Sequence, residues 1–303
     1  MAIEQAPNVD LTYVAEVTRG TTPATPAMKK LRTISRNINL QKRILRSAEV
    51  STHAQQVDVR HGFNSIDGAI GFEWSRTTYD DWLEAALRGT WAANVLKMGN
   101  TLKTFTVERR FTGLSLYEVY KGVTVNTAEI RITPEEIVGG TFNLLGMSDG
   151  TPSGTSLDAA PDAVTTTSPF DSFNGSISEG GGAIATVTGV TLNLNLNRQL
   201  SPVLMSKYSP DVFDGVSMLT GTMSAFFESH ALLTKFRAET VSTLSIVLND
   251  PDGVNTMTLL LPRIKYTGNN KDPQGTGGVI QEMPFEALYD STEATCFKLT
   301  RSA

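Results

Sequence analysis

A chain of 303 residues, 40% of them apolar, is long enough to bury two cores, and its net charge of −5 argues against a surface built to hold nucleic acid. One cysteine, Cys296, excludes a disulfide framework or a cysteine-based zinc site within the chain and fits a cytosolic origin. No window nears the roughly 18 to 20 apolar residues of a membrane span, and Met1-Ala-Ile-Glu-Gln-Ala-Pro has no secretory pattern, so the chain shown is expected to be the working one, without membrane insertion.

Residues 1–30 contain Thr21-Thr22-Pro23-Ala24-Thr25-Pro26, which resists helix and reads as an extended arm. Leu11, Tyr13 and Val14 offer it apolar anchors for a neighbouring subunit. From Leu31 to Leu40 an alternating run, with Ile34, Ile38 and Leu40 between Ser35, Asn37 and Asn39, predicts a half-buried strand. The polar stretch from Lys42 to His61 is predicted as a long loop, and loops of that length usually carry function. The cations Arg36, Lys42, Arg43 and Arg46 gather there; on an acidic protein they fit a solvated face or a subunit contact better than a nucleic-acid site.

Alternation resumes from Ile66 to Trp74, and a short helix is expected next, capped by Thr78 with Asp81 near its positive end and closed by Gly89. Tyr79, Trp82, Leu83, Ala86 and Leu87 form its apolar stripe. Strands are predicted over Lys103–Phe111, Ser115–Ile132 and Val138–Met147, the middle one changing phase near Asn126. Residues 148–182 turn to Ser, Thr, Gly, Asp and Pro, the composition of a linker.

Beyond it the same order of elements returns. Val187 to Leu196 alternates, a shorter loop covers Arg198 to Asp214, and Ser229 is expected to cap a helix carrying Leu232, Leu233 and Phe236. Val241–Asn249 and Val254–Ile264 are joined by the turn Asp250-Pro251-Asp252-Gly253. A glycine-rich loop from Thr267 to Gly278 lacks both a calcium ligand set and a phosphate-loop ending. Val279–Leu288 and Ala294–Leu299 complete the second series. The expected class is mainly β, with an arm 1–30, a first domain 31–147, a linker 148–182 and a second domain 183–303, each domain a β-sandwich or barrel with one short flanking helix.

No catalytic constellation emerges. His53, His61 and His230 lack metal-ligand spacing, so no metal or cofactor is proposed. Asp80-Asp81 suits a helix's first turn and Glu135-Glu136 a turn after Pro134, so neither pair requires catalysis. Trp74, Trp82 and Trp91 read as core. A duplicated β unit without chemistry suggests a protein whose product is a surface geometry.

Several segments carry a family likeness. Glu16 with Gly20-Thr21-Thr22-Pro23 and Pro26, Ser47-Ala48-Glu49-Val50, Val57-Asp58-Val59-Arg60 followed by Gly62 after one intervening His61, and Tyr79-Asp80-x-Trp82-Leu83-Glu84-Ala85-Ala86-Leu87-x-Gly89-x-Trp91 resemble major tail tube proteins of long, non-contractile-tailed bacteriophages. The resemblance implies sheets that join those of neighbours around a channel, in rings that stack into a tube through which DNA passes. With two copies per chain, three chains would reach sixfold shape.

The resemblance further implies an origin in the bacterial host cytoplasm, residence in the virion tail, and contact with a tape measure, a tail terminator and a distal tail protein. Candidate contacts between subunits or rings are Leu11, Tyr13 and Val14 in the arm, and Lys42, Arg43, Arg46, Glu49, Val57, Asp58 and Arg60 in the long loop. Lys207 and Tyr208 in its counterpart complete the set. A β-rich carbohydrate-binding or adhesion module is the alternative, and a β-sandwich hydrolase a third.

Overall fold

The computed structural model describes every residue except Met1, Ala2, Ser51, Ala54, Asp272, Gln274, Gly275 and Ala303. The parts of the expected arm, polar loop, second domain and glycine-rich loop that fall on these positions lie outside the described residues. Period-2 alternation becomes strands throughout. A 3₁₀ turn (Ala6–Asn8) leads into β1 (Val9–Ala15), β2 (Lys29–Lys30), β3 (Ser35–Arg46), β4 (Val59–Glu73), α1 (Asp80–Leu87), β5 (Val95–Lys97), β6 (Phe105–Phe111), β7 (Leu116–Ile132), β8 (Gly139–Gly146) and β9 (Ser148–Asp149). The second series is β10 (Gly175–Glu179), β11 (Gly182–Ala183), β12 (Val187–Asn195), β13 (Gln199–Leu200), β14 (Val212–Phe213), β15 (Met218–Phe226), α2 (Ala231–Arg237), β16 (Ser242–Asn249), β17 (Thr256–Tyr266), β18 (Asn270–Lys271), β19 (Ile280–Ala287) and β20 (Lys298–Arg301).

The duplication is a repetition of pairings. β1 with β6, β3 with β4, β4 with β8, β6 with β7, β7 with β8 and β7 with β9 are all antiparallel. Each recurs, in the same order, as β10 with β16, β12 with β15, β15 with β19, β16 with β17, β17 with β19 and β17 with β20. The arm and the linker therefore supply equivalent strands: β1 opens the first unit and β10 the second. Among the described residues all strands but β13 and β14 join one hydrogen-bonded network, and no barrel closes.

β7 turns from one sheet of its unit to the other. Its first half pairs with β6 and its second with β8, and the register shifts between Val125 and Thr127, beside the Asn126 phase change read in the sequence. The turn between β16 and β17 is the one expected: Gly253 has φ 68° and donates to the Asp250 carbonyl at 2.9 Å.

The first core centres on α1, whose Trp82, Leu83, Ala85, Ala86 and Leu87 are buried. Trp82 packs at 4.7 Å between ring centroids from Phe105 and 5.3 Å from Tyr13. Trp74 is also fully buried and Trp91 partly so.

Several local expectations need correction. Tyr79, not Thr78, is the N-cap of α1; Thr78 instead shares a hydrogen bond with the Ser75 hydroxyl at 2.6 Å. Arg88, not Gly89, takes the left-handed conformation that ends the helix, with φ 50°. Gly89 is needed for space, because a Cβ there would stand 2.2 Å from the Lys97 carbonyl oxygen. His230, not Ser229, is the N-cap of α2.

The predicted loop from Lys42 to His61 is shorter than expected: β3 continues to Arg46 and β4 begins at Val59, paired with each other, and the described residues of 47–58 between them lie outside the strands. The sequence missed this because the bulge between Lys42 and Ile44 breaks the period-2 pattern. Leu11 and Tyr13, candidates for a neighbour's surface, are buried in their own unit because β1 pairs along all of β6.

Candidate assembly surfaces

The two units meet edge to edge. Ile132, Ile130 and Ala128 of β7 lie opposite Val190, Leu192 and Leu194 of β12 in an antiparallel ladder. The four strands β3, β4, β8 and β7 thus continue into β12, β15, β19 and β17. One row of residues crosses the whole joined sheet: Ser35, Gly71, Thr141, Glu129, Asn193, Thr220, Glu286 and Lys265, each directly opposite the next.

Because directly opposed residues share a face, this row identifies one side of the sheet as polar while Ile38, Ile70, Phe142, Ala128, Leu194 and Phe285 line the buried side. The polar side carries Asp67, Glu73, Glu129, Glu282 and Glu286 against Arg131 and Lys265. Arg131 forms a two-pronged contact with Glu129, both bonds 2.8 Å, so much of its charge is already balanced. The face is net acidic.

Arg198 locks the junction. Its side chain is fully buried, and its Nε donates to Asp214 Oδ1 at 2.8 Å. One terminal nitrogen donates to the Thr124 hydroxyl and the Val125 carbonyl of β7, and the other to the Ala85 carbonyl in the last turn of α1 at 3.3 Å. Burial pulls this guanidinium's pKa down and Asp214 opposes the effect. Arg88 reaches the other way, donating to Ser217 Oγ at 3.0 Å. The C-terminal strand β20 also crosses over to pair with β5, and Arg301 forms an ion pair with Asp80. Asp81 accepts from Lys29 Nζ at 2.8 Å, so both acids of this pair have structural partners.

At each end of this joined sheet an edge remains without a strand beside it among the described residues. β3 pairs only with β4. On β17, β16 covers one side as far as Ile264, and beyond it Lys265, Tyr266 and β18 pair only with β19.

The β3–β4 ribbon projects past the sheet, since β8 supports β4 only as far as Ile66. Lys42, Arg43, Arg46, Glu49, Val57, Asp58 and Arg60 are all exposed along it, and so are Ile44, Leu45, Val59 and Val50, the last 96% exposed. Arg60 Nε donates to Asp58 at 2.9 Å, holding that carboxyl below its usual range. The counterpart segment from 198 to 214 is tied to the ribbon's base: the Asn64 amide donates to the Lys207 carbonyl and the Tyr208 hydroxyl to Asp149, each at 2.8 Å. Its tip presents Leu204 and Met205, 92% and 104% exposed. Val14 is half-buried, so of the arm's anchors it alone retains some surface.

Contiguous exposed apolar groups on a projecting ribbon mark a contact surface. Open strand edges on both ends of a joined sheet mark a unit that continues into its neighbours. A sequence profile of the phage tail tube protein family matches residues 7–287. The chain belongs to that family. No curated protein matches the sequence. As a tail tube protein it is a structural component of the virion tail, built to stack with itself and join other tail parts, and its family is structural rather than enzymatic.

Among the described residues no group of three or more His, Cys, Asp or Glu is placed to hold a metal, and no helix is long and apolar enough to cross a membrane. The tryptophans that a glycan groove would need, Trp74 and Trp82, are spent in the core. Sequence reading missed Arg198 as a site residue. The signal was available: Asn193-Leu194-Asn195-Leu196-Asn197-Arg198 echoes Asn37-Ile38-Asn39-Leu40-Gln41-Lys42.

Proposed function

We propose that three copies of this tail tube protein close into a ring of pseudo-sixfold symmetry, and that such rings stack into the hollow tube of a long phage tail. The observation that carries this reading is the edge-to-edge joining of two equivalent units through β7 and β12, which leaves one further edge at each end. Pairing those edges between copies removes both exposed edges, as ring closure of a head-to-tail contact requires.

The polar face bearing Asp67, Glu73, Glu129, Glu282 and Glu286 is then the wall of the lumen. Its acidity suits a conduit, since a wall rich in cations would hold DNA by counterion release, whereas this one lets DNA slide during ejection. The exposed ribbon, from Arg43 to Arg60, and the segment around Lys207 and Tyr208 would meet the adjacent ring. A tape measure occupies the lumen before ejection, and a terminator and a distal tail protein cap the two ends.

We take the arm 1–30 with domain 31–147, and the linker 148–182 with domain 183–303, as two tube units that start at β1 and β10; the strand pairings that repeat between them support this reading. Electron microscopy of the purified chain tests the reading. Threefold rings with six similar lobes, or tubes built from them, are expected; a chain that stays monomeric at high concentration and also with its tail partners present would overturn it.

A further inference from the structure

The junction inside the chain is a template for a junction between chains. In the first unit Phe142 of β8 lies opposite Ala128 of β7, and Ala128 lies opposite Leu194 of β12. In the second unit Phe285 of β19 lies opposite Tyr266 of β17, whose far side carries no strand among the described residues. The counterpart of Leu194 is Ile38. It holds the same place in the echoed six-residue segment, and it pairs with Gly68 of β4 as Leu194 pairs with Leu219 of β15.

The helices give a second, independent indication. α1 buries Trp82, Leu83, Ala85, Ala86 and Leu87, helped by Arg198 and Arg88 contacts that span the two units. α2 has no fully buried residue, and Leu232, Leu233 and Phe236 remain half-buried. Beside α2 lies a groove of about 500 Å³ lined by Phe236, Arg237, Glu239, Lys265, Tyr266 and Glu286, among others. The second unit lacks, within its own chain, the cover that the first unit receives from β12.

We propose that β3 of one copy pairs antiparallel with the β17–β18 edge of the next, with Ile38 opposite Tyr266 and Asn39 opposite Lys265, and that Lys42 enters the groove beside α2. This rests on the ring reading above and specifies its contact. Lys42 then occupies the place that Arg198 holds beside α1, near the helix C-terminus, where a cation meets the negative end of the dipole. Glu239, just past α2, is its acidic partner, now 3.0 Å from Lys265.

The exchange of Arg for Lys has a consequence. Arg198 makes a rigid set of directed bonds to two elements of the adjoining unit, whereas Lys42 brings a well-hydrated point charge that forms fewer fixed bonds. The seam within the chain is permanent, and the seam between chains is the weaker one, so that chains fold singly and join afterwards.

The test is a disulfide across the seam. Residues directly opposite in an antiparallel pair hold their Cα atoms about 4.5 to 5.5 Å apart, inside the range that a disulfide spans. In a Cys296→Ala background, Asn39→Cys with Lys265→Cys is expected to link chains covalently on oxidation of assembled rings or tubes. Asn39→Cys with Asn269→Cys, displaced along the same edge, is the control and links far less.

A second measurement separates the lysine from the strand pairing. Lys42→Ala raises the concentration needed for ring formation about tenfold while leaving the monomer folded, and Lys42→Glu with Glu239→Lys recovers part of that loss. Rings that assemble without the Asn39–Lys265 link, or that link the control pair equally, overturn this seam and leave the ring reading standing. A wild-type chain that forms neither rings nor tubes removes that reading and the seam together.

Discussion

Arg198 Nη2, in the second unit, donates to the backbone oxygen of Ala85 in the last turn of the first unit's helix at 3.3 Å. A cation from one unit thereby completes the core of the other, and the two units share a stability. Tryptophan fluorescence can read that coupling, because Trp74, Trp82 and Trp91 all lie in the first unit. Arg198→Met leaves Asp214 and the carbonyls of Ala85 and Val125 without their donor, and is expected to destabilise the first unit's transition by about 3 kcal/mol. Urea unfolding of the monomer followed at the tryptophans checks it; an unchanged midpoint would show the units to be independent.

Deleting the ribbon separates folding from stacking. Replacing residues 43–60 by a tight turn removes exposed side chains and strand pairing that β8 does not support. The thermal midpoint should move by no more than about 4 °C, while tubes fail and single rings persist. Normal tubes from this variant would remove the ribbon from the contact between rings.

The acidic face can be inverted. Glu73→Lys, Glu129→Lys and Glu282→Lys together are expected to leave rings intact and make the tubes retain double-stranded DNA at low salt. Each added cation that meets a phosphate steepens the salt dependence by about 0.9 in log–log slope. Co-sedimentation across a salt series measures this, and tubes of the triple variant that hold no more DNA than wild type would place that face elsewhere than the lumen.

Alkaline pH should unfold the chain through its buried phenols. Burial pushes the Tyr79 hydroxyl from 10.0 up to about 12, and burial likewise raises Tyr13, Tyr120 and Tyr266. A folded-state pKa above the unfolded one means that the native state holds its proton longer. The contribution is therefore full below pH 10 and, for Tyr79, lost as the pH rises from 10 towards 12. Tyr79→Phe keeps the ring against Phe72, 5.0 Å away between centroids, and should reduce the loss of stability across that window by about 2 kcal/mol. Denaturant titrations at pH 9 and pH 11.5 provide the comparison.

Much of this molecule was legible because its strands are half-buried. Asn193-Leu194-Asn195-Leu196 announces a strand and its two faces with no outside help, and the phase change near Asn126 announced the bulge at which β7 passes from one sheet to the other. The projecting ribbon was illegible for the complementary reason. It has no core beneath it from Arg43 to Arg60, so no apolar period marks it, and its backbone pairing is indifferent to side chain. The arm misled in a related way: Leu11 and Tyr13 look like anchors, and the sequence does not say whose core they anchor.

The sequence by itself determined the duplicated mainly-β plan, the one helix per unit, the acidic balance and the tail tube likeness, since each depends on local period, composition or residue identity. Only the tertiary structure decided that the units join through β7 and β12, that the carboxylates gather on one face, and that Arg198 spans the seam. These follow from which strand lies beside which across a gap of many residues. Backbone hydrogen bonds accept any neighbour of suitable register, so the choice is made by the whole packing and not by any segment alone.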